Sequence, residues 1–154
     1  MDITEVVTAV VATARMVVGS RTLDLSVDIK NDLPVVRTDR QKLFQILVNL
    51  LANAIEHSPQ GGLVRVAVTL CDEGIEISVA DQGTGVPPEF REKIFEKFQR
   101  LESRKSVPGA NRGLGLTFCR LAVEAHGGTI WVDDAPGQGA LFRALLPATE
   151  AEHG

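Results

Sequence analysis

The sequence predicts an α+β fold, a two-layer α/β sandwich whose mixed, mainly antiparallel sheet carries helices on one face. Three observations lead there. Long segments repeat apolar residues at helical spacing, short segments alternate apolar and polar residues, and two of the alternating segments are joined by a tight turn as a hairpin. A chain of 154 residues, 44% hydrophobic, suits one domain of common size with a real core. No internal repeat or linker divides it, so residues 1–154 are read as a single domain.

The elements follow in order. Ile3, Val6, Val7, Val10, Val11, Ala14, Val17 and Val18 mark a one-faced helix over residues 2–18, with Asp2 and Glu5 at capping-box spacing. "TLDLSVDI" (22–29) alternates as a half-buried strand does, and "NDLP" turns the chain. Thr38 and Gln41, again spaced as a capping box, open a long apolar helix over residues 39–57 that stops at Pro59. "GLVRVAVTL" and "GIEISVAD", joined by "CDEG", form the hairpin. The loop "DQGTGVPP" leads into a short helix, "EFREKIFEKF", then a polar stretch at 99–112 without periodicity. A helix over residues 113–125 and two strands, "GTIWVDD" and "GALFRALLP", close the chain.

Composition excludes several classes of function. A net charge of -4, with both signs mixed along the chain, provides no basic stripe for a phosphate backbone, so nucleic acid is not an expected partner. Cys71 and Cys119 lie far apart without His or Cys at ligand spacing, which suggests neither zinc nor a disulfide framework and implies a reducing, cytoplasmic setting. The apolar stretch at 6–18 is broken by Thr8, Thr13 and Arg15 and falls short of the roughly 20 residues a membrane helix needs. It lacks a basic leader and a cleavage-like end, and no membrane contact by this chain is expected.

Three constellations carry possible chemistry. Gln45, Asn49, Asn53 and His57 recur every four residues, a polar line along an otherwise apolar helix. Asparagine carbonyls are hard neutral ligands suited to a magnesium ion that keeps several waters and takes further oxygens from phosphates. The alternative is an amide bonded to backbone in the core. In "DQGTGVP", Asp81 at a strand end suits the exocyclic amino group of adenine, while Gly83 and Gly85 allow close approach of a flat ligand or positive φ. A plain turn reads equally well. In "NRGLGLTFCR", Gly113 and Gly115 open a helix whose free amides suit phosphate, with Arg100, Arg104, Lys105 and Arg112 in or beside the preceding loop. Glycines also simply begin helices, and each of those cations also reads as a solvated surface residue.

In this order the pieces resemble the catalytic and ATP-binding domain of bacterial sensor histidine kinases, within the GHKL superfamily that includes gyrase, Hsp90 and MutL ATPases. Asn49 and Asn53 resemble its N box, "DQGTG" its G1 box, "IFEKFQR" its F box, "GLGL" its G2 box, and "GQGALFRALLP" its terminal glycine motif and strand. The resemblance covers nearly the whole chain. It implies a Bergerat-type ATP-binding fold and a transfer of the γ-phosphoryl group of Mg-ATP to a histidine on a separate dimerisation domain. A response regulator would act downstream, and the isolated domain would be monomeric.

The roles implied are Asn53 as Mg2+ ligand with Asn49 assisting, Asp81 at the adenine amino group, and His57 beside the base. Gly83 and Gly85 would line the nucleotide; Gly113, Leu114, Gly115 and Leu116 would lie at the phosphates. Residues 99–112 would form a lid anchored by Phe95 and Phe98, with Arg100 and Arg112 at the γ-phosphate. The hydrolysing relatives and the anti-sigma serine kinases carry a glutamate base where this chain has Asn49, which cannot take a proton, and this favours transfer over hydrolysis. Glu56, Asn111 and Ala140 depart from the usual pattern, and the alternative they support is a degenerate regulatory module acting by docking. None of His57, His126 or His153 has the setting of the phosphoacceptor histidine, so the chain is expected to be excised from a larger kinase, with the helix at 1–18 following the missing hairpin.

Overall fold

The structure is a computed structural model that describes residues 3–18, 23–29, 39–59, 61–71, 74–96 and 115–147. Its elements are α1 (Ile3–Val18), β1 (Leu23–Ile29), α2 (Arg40–His57), β2 (Gly62–Cys71), β3 (Gly74–Ala80), α3 (Gly115–Ala125), β4 (Thr129–Asp134) and β5 (Ala140–Leu146). Among the described residues the strands form one sheet in the order β1-β2-β3-β5-β4. β1 runs parallel to β2, with Leu25 opposite Val64, and the other pairings are antiparallel. A parallel pair needs a long crossover, and α2 provides it.

Alternation along the strands decides the layers. Val64, Val66 and Val68 of β2, Ile75, Ile77 and Val79 of β3, and Phe142, Ala144 and Leu146 of β5 are buried on one face. That face shares a single core with Val6, Val7 and Val10 of α1, Leu43, Ile46, Leu47 and Leu50 of α2, and Cys119 and Val123 of α3. Each fully buried leucine or isoleucine contributes about 1.5–3 kcal/mol by transfer alone. Helices therefore cover one side of a mixed sheet, the predicted sandwich.

Two expectations need correction. The N-cap of α2 is Asp39, whose Oδ1 accepts from the Lys42 amide at 3.1 Å. Its short carboxylate reaches the third helical amide from an extended backbone and adds charge at the positive helix end; Thr38 lies outside the described residues. The segment read as a short helix at "EFREKIFEKF" is instead two 3-10 turns, Pro88–Phe90 and Lys93–Phe95. So short a run cannot repay helix nucleation, and tertiary packing of Ile94 and Phe95 sets its path instead.

Candidate functional site

The C-terminal end of α2, the end of β3, the loop after it and the start of β5 meet at one end of the molecule. Asp81 follows β3 and is buried. Its backbone amide continues the β3–β5 ladder to the Ala140 carbonyl at 2.9 Å. Its Oδ1 then accepts two amides, Gly83 N at 2.9 Å and Ala140 N at 3.1 Å. Two backbone donors on one oxygen fix the direction of the carboxylate. Ala140, where the family often has a hydroxyl residue, thus contributes through its backbone.

Two glycines make the approach possible. A Cβ at Gly83 would lie 2.4 Å from the His57 carbonyl oxygen, so this loop sits directly on the end of α2. A Cβ at Gly139 would lie 2.0 Å from the Asp81 carbonyl oxygen, and its φ of +103° is open to glycine. The two uses foreseen for Gly83 and Gly85 divide between them: Gly83 provides close approach and Gly85 the positive φ, at +78°. Gln138 adds a clamp that the sequence did not reveal, its Nε2 donating to the Gln82 and Gly83 carbonyls, each at 3.2 Å.

The polar line on α2 is graded rather than uniform. Gln45 is exposed, Asn49 and His57 are half-buried, and Asn53 is buried at 4% exposure. Asn53 Nδ2 has no hydrogen-bond partner among the described residues. An orphaned buried amide costs about 1–3 kcal/mol, so the alternative of an amide satisfied by the core does not describe Asn53. Asn49 does have a partner, a hydrogen bond to the Cys119 thiol. Cys119, fully buried on α3, also donates to the Ile46 carbonyl at 3.5 Å. Burial pushes its thiol from 9.0 up to about 12, with the Asn49 bond opposing the shift.

Phe95 is buried edge-on against Phe142, ring centroids 6.1 Å apart, and Arg120 of α3 lies over its other side at 5.9 Å. Arg120 also bonds Glu92 and Glu124, each at 3.1 Å, which ties the 3-10 turns to α3. Gly115 is the first residue of α3, and Leu116 packs half-buried against the core. Phe98, Arg100, Arg104, Lys105, Arg112, Gly113 and Leu114, with the proposed lid, lie outside the described residues.

The donor set fits magnesium of one kind. Among the described residues no group of three or more His, Cys, Asp or Glu can hold a metal ion, so the protein offers no closed metal cage. A buried amide with an unpartnered nitrogen, whose two ends exchange by a flip, fits an ion that brings water and phosphate as its other ligands.

Comparison with known proteins agrees with this geometry. The family described as "Histidine kinase-, DNA gyrase B-, and HSP90-like ATPase" matches residues 38–150. The chain belongs to that family. Within it, the chain is the ATP-binding catalytic domain of a sensor histidine kinase. The mycobacterial sensor histidine kinase MprB superposes with a TM-score of 0.85 at 34% identity, over 98% of this chain and 99% of that one. Histidine kinase ThkA, solved in complex with the response regulator protein TrrA, superposes at 0.81 with 27% identity, over 97% of this chain and 41% of that one. The adaptive-response sensory kinase SasA of Rippkaea orientalis is 40% identical over 134 residues, 86% of this chain and 34% of the relative. The histidine kinase domain thus spans about a third of the length of this curated relative. No helix among its described residues is long and apolar enough to cross a membrane.

Proposed function

We propose that the domain binds Mg-ATP between α2 and the Asp81 loop and passes the γ-phosphoryl group to a histidine on a separate dimerisation domain. The observation that carries this reading is the buried, unpartnered amide of Asn53, on the helix whose end abuts the loop of the oriented Asp81 carboxylate. Asp81 selects adenine by accepting from its amino group, because guanine presents a carbonyl there. His57 lies beside the base, and Gly83 and Gly85 keep the loop close to it. Asn53, with Asn49 assisting, would hold Mg2+, which when bound screens the charge of the phosphates.

Catalysis by such a site is positioning and charge stabilisation rather than proton transfer. Asn49 has no proton affinity to activate water, so the acceptor histidine provides its own lone pair. Residues 99–112 act as lid, Arg100 and Arg112 meet the γ-phosphate, Gly113 to Leu116 receive the phosphates, and Phe95 anchors the lid's near end. A response regulator takes the phosphoryl group onward, in line with the partner held by ThkA. The setting is cytoplasmic and the isolated domain monomeric, with α1 continuing from a dimerisation hairpin.

The test mixes this domain with the phosphoacceptor hairpin of its parent kinase and labelled Mg-ATP. Acid-labile phosphate on the hairpin, absent with Asn53→Ala, is the expected result. Nucleotide binding without any transfer would instead favour a regulatory module, and steady phosphate release without the hairpin would favour an ATPase.

A further inference from the structure

An asparagine that serves a cation must present its oxygen and turn its nitrogen away. The two ends of the amide have nearly the same shape, so packing alone does not choose between them. At Asn49 the choice falls to α3. Cys119 is fully buried, and its S–H is committed to the Ile46 carbonyl at 3.5 Å. The sulfur then has only lone pairs to offer, so it takes the Asn49 amide N–H and rejects the amide oxygen. Burial keeps the thiol neutral and therefore able to keep donating to Ile46.

We infer that Cys119 is a positioning residue for Asn49, holding the amide nitrogen against α3 so that the amide oxygen is presented on the opposite side, to the nucleotide. This rests on the magnesium-nucleotide reading of the site. It also ties the orientation of Asn49 to the seating of α3 on α2, since Cys119 is the fifth residue of the helix that begins at Gly115. Neither the N box nor the G2 box includes Cys119, and in sequence it lies 73 residues from Ile46.

Two substitutions separate positioning from filling space. Cys119→Ser keeps a donor and an acceptor; Cys119→Val keeps the volume and has neither. The affinity of a non-hydrolysable ATP analogue is measured with and without magnesium for each. Positioning predicts that Cys119→Val loses about fivefold in the magnesium-bound affinity, the worth of one hydrogen bond. Its magnesium-free affinity stays the same, and Cys119→Ser keeps both. In an Asn49→Ala background the valine exchange should change nothing.

The reverse pattern, valine tolerated and serine impaired, would show that Cys119 only fills space. A wild-type chain with no magnesium effect would overturn the nucleotide reading and this inference with it. A readout without nucleotide covers variants that fold poorly. The side-chain amide NMR signals of Asn49, identified by their loss in Asn49→Ala, should move in Cys119→Val or Cys119→Ala and hold in Cys119→Ser. Signals unmoved by valine and alanine would also overturn the inference.

Discussion

Asp81 shows how one side chain can be held by the fold while its charge serves a ligand. Oδ1 accepts from Gly83 and Ala140, and an asparagine oxygen can accept the same two bonds. Asp81→Asn therefore should melt close to wild type. It places an NH2 group where an acceptor is needed, so affinity for an ATP analogue should fall by about tenfold or more, the cost of a lost charge-assisted bond facing a misplaced donor. Calorimetric titration and a thermal melt on the same sample check both halves. Cys119 yields a second prediction at this scale. Its thiol is raised from 9.0 to about 12, so the folded chain keeps this proton where the unfolded chain loses it. The stability this provides is complete below pH 9.0 and is lost as pH rises from there toward about 12. Denaturant melts from pH 8 upward should show that decline, and it should be smaller in Cys119→Val. At pH 8 a thiol reagent should label Cys71 well before Cys119, which is buried and neutral.

Elements here are placed by what they bury and by where backbones touch. α1, α2 and the strands were legible because their periods are long and match their buried faces, as in the alternation of Val64, Val66 and Val68. The segment around Phe90 was not, because its few apolar residues imitate a helical period while too few residues follow to complete turns. The cap of α2 was misread by one residue, since Thr38 and Asp39 both qualify and only geometry chooses between them. The contact between the Asp81 loop and α2 gives the sharpest test at this scale. Gly83→Ala would force a methyl into the His57 carbonyl, 2.4 Å away, and should cost about 1–3 kcal/mol as an overpacked site. Gly61→Ala, with open space around its Cβ but a φ of +78°, should cost about 1 kcal/mol, from backbone strain alone. Urea unfolding of the two variants compares them directly.

For the whole molecule, the helix face and the loop glycines are joined into one site by the crossing of α2 over a mixed sheet. Asn53, Asp81 and the glycines were legible because motif order reflects the order of the chain. Gln138 and Cys119 were not, because their partners lie 55 and 73 residues away and only the fold brings them together. The assembled parts belong to a kinase that lacks a base for water at Asn49. The isolated domain should bind nucleotide yet release phosphate no faster than Asn49→Ala, whereas Asn49→Glu should raise release. The central claim is that Asn53 and Asp81 read the two ends of one Mg-ATP. Calorimetric titration of a non-hydrolysable ATP analogue, with and without magnesium, tests it most directly. Binding strengthened by magnesium is the predicted result, with the strengthening lost in Asn53→Ala and affinity lost in Asp81→Asn regardless of the metal. Binding indifferent to magnesium, or equal in the wild type and both variants, would contradict it.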